Sequence, residues 1–105
     1  MELENNMLIS EIHYQYRDAS NYKFWDIFRV AGKVELHELQ RHMIRGEFFV
    51  PKQIGLAALV PDLRNEDDHE WHEIIAINYC DGEADMRGDQ LLEPMAQANL
   101  KGWPT

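Results

Sequence analysis

From Glu11 to Arg17 polar and apolar side chains alternate, with Ile12, Tyr14 and Tyr16 on one face and Glu11, His13, Gln15 and Arg17 on the other. A period of two marks a strand with one face in a core and the other towards water. The run Asp18-Ala19-Ser20-Asn21 carries the short polar side chains that favour tight turns. A second strand is predicted over Tyr22–Val30, with Tyr22, Phe24, Phe28 and Val30 on one face and Trp25 and Ile27 on the other. Both faces are partly apolar, as in an inner strand or one covered by an interface. Asp26 interrupts the apolar face between Phe24 and Phe28 and needs a partner, for which a Lys or Arg of a neighbouring strand is the usual solution.

From Lys33 to Arg45 the period becomes helical, with Leu36, Leu39 and Met43 on one stripe and Ile44 beside it. Glu35 and Glu38 near the start and Arg41, His42 and Arg45 near the end suit the helix dipole, and Gly46 is a natural stop. Phe48-Phe49-Val50-Pro51 predicts a short strand that the proline ends or places at an edge. Gln53–Leu59 reads as a single helical turn weakened by Gly55. Pro61–Asp68 is a polar loop rich in acids. The longest strand-like run follows from Trp71 to Cys80, with Glu73, Ile75, Ile77 and Tyr79 alternating against His72, Ile74, Ala76, Asn78 and Cys80, and Asp81-Gly82 ends it as a turn. A C-terminal helix falls between Asp89 and Leu100. Pro94 is tolerated only in a first turn, which sets the start near Glu93, and Leu91, Leu92, Met95 and Leu100 would dock it while Trp103 pins the tail.

The resulting order ββα-β-βα predicts an α+β fold, a mainly antiparallel sheet of about four strands with two helices packed on one face. At 105 residues the chain reads as a single domain, 1–105, with no repeat, low-complexity tract or linker to divide it. Its apolar and aromatic content is that of a folded protein.

Charge sharpens this picture. The net charge is −9, and residues 62–105 carry eleven acids against three bases, whereas residues 1–61 nearly balance. Such a half repels phosphate backbones and attracts cations or basic protein surfaces, which argues against direct nucleic-acid binding. Cys80 is alone, so an intramolecular disulfide is excluded, and its place in an apolar run suggests a buried, inert thiol. The acidic first ten residues lack the features of a secretory signal, no run is long enough for a membrane span, and a cytoplasmic location is expected.

The segment Asp67-Asp68-His69-Glu70-Trp71-His72-Glu73 is the densest in chemistry. His69, His72 and Glu73 are the alternative metal set, supplying nitrogen and oxygen donors. In an extended chain, however, His69 and His72 point to opposite faces, and solvated carboxylates around a structural His72 are the commoner arrangement. The candidate acid/base pairs are His72 with Glu73 and Asp26 with His13. No Walker loop, GxGxxG, GxSxG, CxxC or HExxH motif is present, so no cofactor and no catalytic residue is expected.

Three blocks, Asp18-Ala19-Ser20-Asn21-Tyr22-Lys23, Gly46–Leu56 and Asp67–Glu73, resemble a D-x-S-N-Y-K, G-x-F-F-x-P-x-Q-x-G-L and D-x-H-x-W-H-E series carried by a group of small bacterial proteins of no established activity. The resemblance implies that the blocks meet at one end of the sheet, and it implies no mechanism. The reading that best joins charge to missing catalytic signatures is a non-enzymatic protein that docks on and inhibits or regulates a basic protein partner through Asp67, Asp68, Glu70, Asp81, Glu83 and Asp85. A small metal-dependent or acid/base enzyme at the His69–Glu73 corner is the alternative, and a homodimer joined through Trp25 and Ile27 is the third.

Overall fold

The computed structural model of the chain describes residues 8–17, 22–59 and 71–103. The elements are β1 (Leu8–Arg17), β2 (Lys23–Ala31), α1 (Leu36–Gln40), β3 (Phe48–Phe49), a 3-10 turn (Pro51–Ile54), β4 (His72–Asp81), β5 (Met86–Arg87) and α2 (Gly88–Leu100). The strands form one sheet in the order β3-β4-β1-β2-β5. The α+β class holds, but the sheet among the described residues has five strands and is mixed. The added strand, β5, pairs parallel with the end of β2 through Val30 and Met86. Two residues without a period could not announce it in the sequence.

β1 is the central strand and pairs antiparallel with both long neighbours. Its alternation is realised: Ile12, Tyr14 and Tyr16 are fully buried, and Phe28 and Val30 of β2 lie beside them in register. Tyr14 meets Phe28 edge-on with ring centroids 5.6 Å apart. Onto this face pack Leu39 and Met43 from the α1 region, Phe49 and Val50, and Leu91, Met95 and Ala98 of α2, in one continuous core. Each large side chain withdrawn in this way contributes about 1.5–3 kcal/mol.

β4 departs from the expected strict alternation. Ile77 pairs with Ile12 and Ala76 with His13, yet Tyr14 pairs with Ile74, so Ile75 is an extra residue in a β-bulge. The bulge shifts the parity, and His72, Ile74, Ile77 and Tyr79 all stand opposite core-facing residues of β1.

The first helix is much shorter than its hydrophobic stripe. Glu35 N–H donates to the Glu38 carboxylate at 2.9 Å and sets its start. After Gln40 the chain tightens, Arg45 and Gly46 take φ of 56° and 72°, and Ile44 and Phe48 exchange backbone hydrogen bonds. The left-handed pair turns the backbone into β3, so residues 41–45 are turn rather than helix. Leu39 and Met43 are buried as the stripe predicts, while Leu36 is exposed.

α2 begins at Gly88, earlier than the proline suggests, and Pro94 lies in its interior. Arg87 N–H donates to the Gln90 side chain at 2.7 Å and starts the helix. At Pro94 no N–H exists for the Gln90 carbonyl, a local cost offset by burial of Leu91, Met95 and Ala98 on either side. Leu100, expected to dock, is 80% exposed. Trp103 takes that role: it is buried and its indole N–H donates to the His42 carbonyl at 2.7 Å, tying the end of α2 to the end of the α1 region.

Candidate functional site

His72 is completely buried, and its Nε2 accepts the Leu59 N–H at 3.0 Å. Rings of Tyr16, Tyr14 and Phe49 surround it at 5.1, 6.0 and 6.1 Å. Tyr14 donates its phenol hydrogen to the Ala57 carbonyl at 2.8 Å, so the two residues together moor the 56–59 segment to the sheet. Burial, with a smaller contribution from the Asp26 charge, pushes the Tyr14 phenol up to about 12. The Nε2 lone pair that would bind a metal is therefore engaged by backbone. Glu73 pairs in register with Gln15 and faces away from His72, while His69 lies outside the described residues. Among the described residues no group of three or more His, Cys, Asp or Glu side chains is placed to share a metal ion.

The described parts of the second and third sequence blocks come together. Phe48 and Phe49 pair with Glu73 and His72, Phe48 stacks on Trp71 at 5.2 Å, and the Arg45 guanidinium sits 6.0 Å over the same indole. Tyr16 pairs with both His72 and Phe24, which brings the β1–β2 end to this corner. Residues 18–21 lie outside the described residues.

Of the expected docking acids, Asp67, Asp68 and Glu70 also fall outside the described residues. Asp81, Glu83 and Asp85 are exposed around the β4–β5 connection. Asp85 is engaged within the fold: its carboxylate accepts the Arg29 N–H at 2.9 Å and its own N–H donates to the Arg29 carbonyl at 2.8 Å. Asp26 is exposed and meets no Lys or Arg among the described residues; its Oδ1 accepts the Ile27 N–H at 2.8 Å. Nor does it meet His13, which stands on the other face of the sheet. Cys80, expected in the core, is exposed, because it pairs with Ile9 on the face away from the helices. Trp25 and Ile27 are 61% and 41% exposed, and the Trp25 indole donates to the Gln15 side chain at 3.0 Å.

That outer face carries a polar network that strand alternation alone could have placed. Glu11 lies 3.0 Å from His13 Nε2 and 3.1 Å from Arg29 Nη2, and the Asn78 amide nitrogen approaches His13 at 3.2 Å. The His13 imidazole, aided by Arg29, holds the Glu11 carboxyl below the usual carboxylate range. The Glu11–Arg29 pair spans β1 and β2 and the His13–Asn78 contact spans β1 and β4, so the network braces the three strands.

The feature with binding character is the edge of β4. Among the described residues β3 pairs only with His72 and Glu73, leaving Ile74–Asp81 unpaired on that side. Beside it runs an apolar groove of about 220 Å³ between Leu36 and the Ile75, Ile77 and Tyr79 side chains. Leu36, Ile75 and Tyr79 are each more than 40% exposed. A second cleft, of about 460 Å³, shares Leu36 with the groove and is also lined by Met43, Phe48, Arg17, Glu47 and Glu73. The Tyr79 hydroxyl donates to the Val34 carbonyl at 2.9 Å and fixes the wall between strand and helix. Sequence reasoning missed this surface, because it arises from the early end of α1 and the brevity of β3.

Compared with family models, curated proteins and solved structures, the chain matches none. No helix among the described residues is long and apolar enough to cross a membrane.

Proposed function

We propose that this chain is a non-enzymatic binding protein that docks on a basic protein partner and inhibits or regulates it. The observation that carries the reading is the length of β4 left unpaired among the described residues, next to an apolar groove. An exposed strand edge offers a row of N–H and C=O groups to an incoming extended segment, and an adjacent groove accepts alternate side chains of that segment. Glu47 and Glu73 stand beside Arg17 at one end of the path, Asp81 and Glu83 lie at the other, and the Lys33 ammonium sits 5.6 Å over the Tyr79 ring, so acids outnumber bases along the path. A basic partner is favoured there, and repulsion of acidic competitors supplies selectivity.

The test is affinity capture with the wild-type chain and with Ile75→Lys, followed by binding measurements on the recovered basic protein. Ile75 is 46% exposed, so the substitution alters the groove without opening the core. Binding should weaken at least about tenfold in the variant and fall with rising salt. A basic partner bound equally well by Ile75→Lys would reject β4 as the docking edge.

A further inference from the structure

The other long edge of the sheet is treated differently. β5 pairs with β2 only at Val30 and Ala31, which leaves residues 23–29 of β2 without a neighbouring strand beyond β1 among the described residues. The backbone of Arg29 bonds outward to Asp85 through both its N–H and its C=O. Because backbone groups alternate in direction along an antiparallel strand, Lys23, Trp25, Ile27 and Arg29 present theirs outward, and Phe24, Asp26 and Phe28 present theirs to β1. Two of these four outward N–H groups end on carboxylates: Ile27 on Asp26 and Arg29 on Asp85.

We infer that Asp26 and Asp85 close the β2 edge against a second copy of this chain. The sequence around them makes the hazard concrete. An antiparallel β2–β2 contact centred on Trp25 would set Trp25 against Trp25 and Phe24 against residue 26. With Phe24, Trp25 and Ile27 each more than a third exposed, such a ribbon would be apolar on both faces. Asp26 opposes it twice, by occupying the Ile27 N–H that the ladder needs and by placing a carboxylate opposite Phe24. Asp85 stops the ladder one step further on, using its side chain where a neighbouring strand would supply a carbonyl. The inference is independent of any partner at β4, and it accounts for a charged residue in the middle of an apolar strand face.

Sedimentation equilibrium on wild type, Asp26→Asn, Asp26→Val and Asp26→Val with Trp25→Lys tests it, together with hydrogen exchange at the Ile27 amide. Asn keeps an acceptor at the same place, whereas Val removes it and suits a strand. Wild type and Asp26→Asn should remain monomeric with a protected Ile27 amide. Asp26→Val should self-associate at least about tenfold more tightly, and the added Trp25→Lys should return it to monomer. Unchanged association of Asp26→Val overturns the inference, as does a wild-type dimer joined through β2. Should Asp26→Val fail to fold, the wild-type amide still decides: rapid exchange at Ile27 removes the cap, and slow exchange that persists in Asp26→Asn sustains it.

Discussion

Tyr14 shows how one residue ties local chemistry to stability. Its ring fills the core, its hydroxyl holds Ala57, and its phenol is raised to about 12 because the ionised form would be buried. A group whose folded value lies above its unfolded value of about 10 favours the fold below that pH and loses this contribution as pH climbs towards 12. Stability should therefore fall by on the order of 2 kcal/mol between pH 10 and 12 from this residue. Denaturant midpoints across that window should be visibly flatter in Tyr14→Phe, which in turn should cost about 1 kcal/mol at neutral pH for the lost hydrogen bond. Equal slopes in the two proteins would show that Tyr14 ionises freely. Its burial was legible from simple alternation, whereas its partner Ala57 was not, since a hydrogen bond across 43 positions leaves no trace in a local pattern. Asp26 was legible as an anomaly, yet its solution is a backbone N–H one residue away and not an opposite charge.

At the scale of elements, hydrophobic stripes located the buried residues better than they located element ends. Leu39 and Met43 are in the core although only Leu39 lies in the helix, because the turn that follows keeps Met43 facing inward. Leu39→Ala should lower stability by ~2–5 kcal/mol in chemical denaturation, from lost transfer energy and the cavity left against the sheet. A loss below about 1 kcal/mol would mean that α1 contributes little to the core. The helix end was obscured because Arg45, which the dipole argument favours as a last-turn residue, instead adopts a positive φ with Gly46. Pro94 misled in the opposite direction. Its penalty was outweighed by packing of Leu91 and Met95, an instance of tertiary contacts overriding local preference.

Taken whole, the molecule is a one-sided sheet with its helices on the core face, a braced polar network on the other, and two edges of unlike character. Among the described residues β2 is closed by Asp26 and Asp85, and β4 is open beside a groove. None of that asymmetry can be read from residue order, because it depends on which strand lies outermost and how far the short strands reach. The densest motif of the chain, around His72, proved to be a mooring point for the 56–59 segment in its described part.

The bulge at Ile75 bears on how the length of this chain can change over generations. Removing one residue from a strand ordinarily inverts the facing of everything beyond it. Here Ile75 is the surplus residue, so its deletion would leave Ala76 opposite His13 and Ile74 opposite Tyr14 as before. The deletion of Ile75 should yield a cooperatively melting protein close to wild type, whereas deletion of Ile77 should abolish folding, and thermal melts by circular dichroism distinguish the two. A collapse of both would show that the extra residue is needed to curve β4. Since Ile75 also lines the apolar groove beside β4, its loss would be a single genetic step that spares the fold while reshaping the surface we propose for docking. Descendants of this sequence could thus remodel that groove by an insertion or deletion in the middle of a strand, a place where length variation is normally forbidden.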